Sequence, residues 1–211
     1  MTMKLYDCTT APSPRRARMF IAEKGLDIPF EQVDLATGEQ LSETYLAKVP
    51  TGMVPALLTD EGTLITENLA IAWYLEKLYP ETPLMGRTPE EIARIMEWEM
   101  RITFGAFMAC AEMLRNSSPH MKGRALPGRQ NLAQIPELAE RGRTRISTFW
   151  DDMDAHLAKH TFMAGDMYSY ADITGTVCVD FSKWVKASPL ETHENIAHWH
   201  ATMKTRANYG A

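Results

Sequence analysis

Cys8, Thr9, Thr10 and Ser13 place a thiol and three hydroxyls just ahead of a helix, which Ser13-Pro14 can open as N-cap and first helical proline. A hydroxyl or N–H at a helix head stabilises a nearby anion, so this stretch suits activation of an anionic nucleophile. Cys8 could itself be the nucleophile of a thiol-exchange enzyme, but it has no CxxC partner. The three cysteines, Cys8, Cys110 and Cys178, read instead as buried free thiols. No Gly-x-Ser-x-Gly motif is present, and no Cys/His cluster stands at zinc spacing, so neither triad hydrolysis nor a metal is expected. His198 and His200 flank Trp199 and read as surface residues.

A second group lies further along. Glu67-Asn68 stands at a helix start directly after a strand, where unpaired N–H groups and the positive end of the helix attract a carboxylate. Val54-Pro55 opens a strand, and Lys48 precedes the Val49-Pro50-Thr51-Gly52 turn. Met100, Phe104, Phe107 and Met108 form an apolar stripe at helical spacing, whose adaptable side chains suit an apolar partner as well as a core.

The elements that must position these residues change character along the chain. Lys4 to Cys8 reads as a strand, Pro14 to Lys24 as a helix ended by Gly25, Pro29 to Leu35 as a strand and Leu41 to Ala47 as a short helix. Two strands around Asp60-Glu61-Gly62 form a hairpin, and Glu67 to Leu78 is a helix. The order is β-α-β-α-β-β-α over residues 1–80. Pro80, Pro83 and Gly86 mark a linker over 81–87, and 88–211 reads as all-helical. Its helices run over Pro89 to Asn116, Ala133 to Lys159, Ser169 to Val185 and Pro189 to Arg206, with a capping box at Ser169-Tyr170-Ala171-Asp172. The segment between Asn116 and Asn131, with prolines, glycines and basic residues, reads as a long surface loop.

With 211 residues, 45% hydrophobic and 23% charged, the chain has the composition of an ordinary globular protein. No apolar run approaches the ~18 residues of a membrane span. A net charge of −5 and a pI near 5.7 argue against nucleic acid as a partner. The N-terminus lacks the apolar core of a signal peptide, which leads to a cytoplasmic expectation.

Taken in order, Ala11-Pro12-Ser13-Pro14-Arg15-Arg16-Ala17-Arg18, Gly52-Met53-Val54-Pro55-Ala56-Leu57, Thr66-Glu67-Asn68-Leu69-Ala70-Ile71 and Gly165 with Ser169-Tyr170-Ala171-Asp172 resemble the cytosolic glutathione transferase superfamily, in its bacterial type. The resemblance covers nearly the whole chain. It implies a thioredoxin-like domain that holds glutathione as co-substrate, a helical domain that supplies most of the pocket for a hydrophobic electrophile, a detoxifying activity and a homodimer. It also implies a cis Pro55 that turns the Val54 backbone toward the cysteinyl part of glutathione, with Glu67 and Asn68 on the γ-glutamyl part and Lys48 on the glycyl carboxylate. Met100, Phe104, Phe107 and Met108 would line the electrophile pocket. One departure stands out: Ala11 occupies the place where serine-type members carry their hydroxyl. Ser13, with Thr10 second, is then the expected donor to the thiolate. A glutathione-dependent disulfide or peroxide reductase and a non-catalytic glutathione-binding protein remain alternatives on the same residues.

Overall fold

In the computed structural model, which describes residues 2–211, the chain forms two compact units. The first comprises residues up to Thr82 together with Pro127–Gln130 and Gly210–Ala211, and the second comprises Pro83–Leu126 and Asn131–Tyr209.

The first unit runs β1 (Lys4–Asp7), α1 (Pro12–Glu23), β2 (Phe30–Gln32), a 3-10 turn at Glu39–Leu41, α2 (Glu43–Lys48), β3 (Ala56–Leu58), β4 (Leu64–Thr66) and α3 (Asn68–Leu78). This is the expected order. The sheet is β2-β1-β3-β4, with β1 parallel to β2 and the other neighbours antiparallel. A parallel pair needs a crossover, which α1 provides, whereas β3 and β4 need only the hairpin. Side chains alternate across the sheet. Tyr6 and Ala56 pack with Val33, Tyr45 and Val49 on one face, where Tyr6 and Tyr45 meet edge to face at 5.8 Å. Leu5 and Leu57, paired in register, point the other way and are fully buried. Phe20 and Ile21 of α1 and Ile71 and Leu75 of α3 are buried with them.

The start of α1 departs from the sequence reading. The helix opens at Pro12 with Ala11 as its N-cap, and no side chain caps it. Ser13 therefore lies inside the first turn and is not the N-cap. Both Pro12 and Pro14 suit a first turn, and the chain commits to the earlier one because the Ala11 N–H donates to the Cys8 carbonyl at 2.9 Å, closing the preceding turn. At their far ends α1 and α3 are joined by a buried ion pair, Lys24 Nζ to Glu76 Oε2 at 2.7 Å. Lys24 also donates to the carbonyls of Tyr79 and Thr82, so the buried ammonium is fully engaged.

The second unit is helical: α4 (Pro89–Ile102), α5 (Met108–Ser117), α6 (Pro136–Leu157), α7 (Tyr170–Ser182) and α8 (Glu194–Lys204). A capping box at Thr88 and Glu91 starts α4. The single helix expected from Pro89 to Asn116 is continuous but carries a five-residue π-helical turn, Thr103–Phe107, between α4 and α5. Gly142 lets α6 lie directly on α5, since a Cβ there would stand 2.8 Å from the Ala109 carbonyl oxygen. His200 corrects its surface reading: it is 2% exposed, with Nε2 3.1 Å from Asp180 Oδ1. It shares the inward stripe of α8 with Ile196, Trp199 and Met203. Cys8, Cys110 and Cys178 are all buried and free. Among the described residues no helix is long and apolar enough to cross a membrane.

Asp172 organises the middle of this unit. Its carboxylate accepts from the N–H groups of Met163 and Ser169, from Ser169 Oγ and from Trp199 Nε1, at 2.9 to 3.2 Å. Complete burial outweighs these donors and pushes the carboxyl from its ordinary 3.8 up to about 6. The folded state thus holds an extra proton between those two values. The resulting stability is present below the lower one and is lost as pH rises through the upper one. From pH 5 to pH 8 this group alone lowers stability by about 1 kcal/mol. Asp172→Asn should be less stable at both pH values, because the amide NH2 that replaces one oxygen faces donors and cannot accept from them, yet the variant lacks that part of the slope. Denaturant unfolding at pH 5 and pH 8 should therefore show the gap between the two proteins narrowing at the higher pH.

Candidate active site

The site is built in the first unit where the β1–α1 loop, the head of α1 and the head of α3 meet. Its foundation is a closed ring of polar contacts under the loop. Arg18 Nη1 pairs with Asp7 Oδ1 at 2.5 Å, with both side chains buried. The same guanidinium donates to the carbonyls of Cys8 and Thr9, at 3.3 and 3.1 Å. Gln32 Nε2 donates to Asp7 Oδ2, and Gln32 Oε1 accepts from both the N–H and Oγ1 of Thr9. Residues 7 to 9 are thereby fixed in backbone and side chain, and the start of α1 follows from them.

Above this ring stands Ser13. Its Oγ accepts from Asn68 Nδ2 at 3.0 Å and from Arg16 Nη2 at 3.2 Å. Two acceptor positions are thus taken, and the hydroxyl hydrogen remains to be donated. The Ser13 peptide N–H has no partner among the described residues, because it lies in the first turn of α1. Pro12 and Pro14 on either side have no N–H to give, so Ser13 carries the backbone donor as well as the hydroxyl of that turn. Thr10, the second candidate, is exposed, and its Oγ1 lies 3.4 Å from Cys8 Sγ. Ala11 offers no side-chain donor, and its N–H is taken by Cys8.

The contact between Asn68 and Ser13 makes the N-termini of α3 and α1 neighbours. Asn68 is the first residue of α3 and is 5% exposed, and its Oδ1 is buried without a partner among the described residues. Glu67, the N-cap, is exposed and holds φ +69, ψ 129. A non-glycine residue there carries about 1–3 kcal/mol of backbone strain, which marks functional sites more often than passive turns. No side chain caps α3, so its first N–H groups stay open to an anion. The Val54-Pro55 bond is cis, and neither backbone polar group of Val54 has a partner among the described residues. Tyr45 Oη anchors the preceding residue through the Met53 carbonyl at 2.8 Å. Lys48 is not open: its Nζ pairs with Glu31 at 2.8 Å, beside a second pair from Lys4 to the same carboxylate at 2.6 Å. The two lysines hold the Glu31 carboxyl below its usual range.

The apolar stripe of the second unit divides. Phe104 is 61% and Met100 37% exposed, and Met108 is half-buried. Phe107 is 8% exposed and packs against Phe181 at 5.4 Å, so it belongs to the helical core. The loop role of Asp7, Arg18 and Gln32 was not legible in their spacing. The only trace was the Arg16-Ala17-Arg18 run, which puts two arginines on what becomes a buried face of α1.

A thioredoxin-like sheet unit followed by a helical unit, with two helix heads meeting beside a strand opening, defines the class of fold. Residues 10–78 match the glutathione S-transferase N-terminal domain, and residues 108–207 match the glutathione S-transferase C-terminal domain. The chain is 31% identical over 206 residues to glutathione S-transferase 2 of Saccharomyces cerevisiae, covering 97% of this chain and 86% of that protein. The solved structure of Gtt2 from that organism superposes with a TM-score of 0.89 at 29% identity, over 99% of this chain and 98% of its own. A glutathione S-transferase domain-containing protein from Marinobacter aquaeolei superposes with a TM-score of 0.90 at 27% identity, over 98% and 99% of the two chains. The chain belongs to the glutathione S-transferase family and is an enzyme of that family.

The ring beneath the loop makes a specific prediction. Asp7→Asn should leave the Arg18 guanidinium buried without its counter-charge and cost roughly 3 kcal/mol. Chemical denaturation of the variant should show this loss; one within about 0.5 kcal/mol of wild type, the range of an ordinary surface change, would contradict the role given to the pair.

Proposed function

We propose that this enzyme binds glutathione along Val54 and the head of α3, and that Ser13 holds its sulfur as thiolate for attack on a hydrophobic electrophile. The observation that carries the reading is the pair of donors on Ser13 Oγ, Asn68 and Arg16, which leave the hydroxyl only a hydrogen to give. A free thiol of pKa ~8.5 needs a shift of about two units, or ~2.7 kcal/mol, to be mostly ionised near neutral pH. A hydrogen bond to a charged group contributes roughly 1.5–3 kcal/mol, and a helix N-terminus about 0.3–1 kcal/mol more. Ser13 Oγ–H, Ser13 N–H and the dipole of α1 together reach that magnitude, and the thiol proton passes to solvent water.

The remaining polar groups of glutathione match the open groups described above. The γ-glutamyl carboxylate meets the free N–H groups of α3, its ammonium meets the exposed Glu67 carboxylate, and the cysteinyl peptide pairs with Val54 as an added strand would. The thiolate then attacks carbon, the S–C bond forms and the leaving group departs with its electron pair. The family resemblance assigns the electrophile to the apolar stripe of the second unit, where Met100 and Phe104 are exposed and suit an apolar partner. A homodimer and a cytoplasmic setting belong to the same proposal and rest on the family resemblance; light scattering tests the first.

The test combines binding and turnover. Calorimetry should show glutathione binding to wild type and at least tenfold weaker binding to Glu67→Ala, a loss of ~1.4 kcal/mol. Glu67→Gly should bind as weakly, yet be more stable than Glu67→Ala because it relieves the positive φ. Wild type should conjugate a chloronitroarene. Equal binding by wild type and Glu67→Ala, or turnover confined to a mixed disulfide, would overturn the reading.

A further inference from the structure

The glycyl end of bound glutathione still lacks a partner, and the following inference rests on the binding mode just proposed. With the γ-glutamyl end at Glu67 and Asn68 and the cysteinyl peptide on Val54, the glycyl carboxylate leaves Val54 on the side away from α3. The chain on that side is the turn from Lys48 to Met53 that leads into Val54. A carboxylate one residue beyond the cysteinyl group falls within ~7 Å of it, and it requires a cation or fixed donors. Lys48 is already paired with Glu31, so a carboxylate there would have to compete with that pair.

Another cation is placed on this turn. Arg129 is carried by the long loop between α5 and α6, but its segment, Pro127–Gln130, packs as part of the first unit. Gly52 makes the approach possible: it holds φ +66, and a Cβ there would stand 3.3 Å from Arg129 Cγ and 3.2 Å from the Gln40 carbonyl oxygen. Next to Arg129, a Cβ on Gly128 would stand 3.4 Å from the Thr51 carbonyl oxygen. The aliphatic stem of Arg129 thus lies on the turn two residues before Val54, while the residue as a whole is exposed. No hydrogen bond or ion pair engages its guanidinium among the described residues. A long cationic side chain packs its stem and leaves its head in water in this way, and the planar fork matches a carboxylate through two parallel bonds. We infer that Arg129 binds the glycyl carboxylate of glutathione, and that this segment of the loop selects the tripeptide acid.

Calorimetry with glutathione and with its glycyl monoethyl ester, in which that one carboxylate is masked, tests the assignment on wild type, Arg129→Ala, Arg129→Lys and Lys48→Ala. Arg129→Ala should weaken glutathione roughly tenfold, leave the ester unchanged and so abolish the preference of wild type for the acid. Arg129→Lys should recover part of the preference. An equal loss for both ligands would reduce Arg129 to packing on the turn, and a preference lost in Lys48→Ala but kept in Arg129→Ala would transfer the role to Lys48; either result overturns the inference. A wild type that binds neither ligand would instead overturn the binding mode on which it rests.

Discussion

The site depends on a buried charge that has to be satisfied. Once Arg18 is folded into the interior of the first unit, its guanidinium must find acceptors there. It takes them from the Asp7 side chain and from the carbonyls of Cys8 and Thr9. Gln32 closes the circuit between Asp7 and Thr9. A buried pair of this kind adds little net stability compared with an apolar pair of the same shape, but it tolerates almost no alternative geometry. The loop after β1 is therefore held in one conformation, the turn from Cys8 to Ala11 closes, and α1 begins at Pro12. Ser13 is where it is because of contacts it does not itself make.

The head of α3 answers the head of α1. The Asn68 to Ser13 bond brings two helix N-termini together, so the field at that point favours negative charge from two directions. The strain at Glu67 fits the same picture, because a left-handed N-cap turns the chain sharply between β4 and α3 and leaves the first N–H groups uncapped. A fold optimised for stability alone would place a glycine there and a capping side chain beside it. The sequence places an exposed acid there, at a strained backbone position, which is unfavourable for the isolated chain and favourable for one that binds a small zwitterion.

Much of this architecture is visible in the sequence, since changes of hydrophobic period separate strands from helices and the capping signal at Ser169 is local. The start of α1 is ambiguous because Pro12 and Pro14 both suit a first turn, and the hydrogen bond that decides between them is made by the backbone of Ala11. The stripe from Met100 to Met108 reads as one face only if the helix keeps its regular period. The π-helical turn at Thr103–Phe107 adds to the residues per turn, and Phe107 falls into the core while Phe104 stays exposed. His200 is buried because a partner on α7, Asp180, is waiting for it, and Arg129 reaches the Gly52 turn through a loop with no periodic signal. The last two are long-range pairings, which spacing along the chain does not encode.

We propose that the Ser13 hydroxyl, oriented by Asn68 and Arg16, stabilises the thiolate of bound glutathione. The most direct measurement is an ultraviolet titration of that thiolate in wild type, Ser13→Ala and Thr10→Ala, each saturated with glutathione. Ser13→Ala should raise the apparent thiol pKa by at least one unit, equivalent to ~1.4 kcal/mol, while glutathione affinity changes little and Thr10→Ala titrates with wild type. A titration unmoved in Ser13→Ala, with or without a shift in Thr10→Ala, would contradict it.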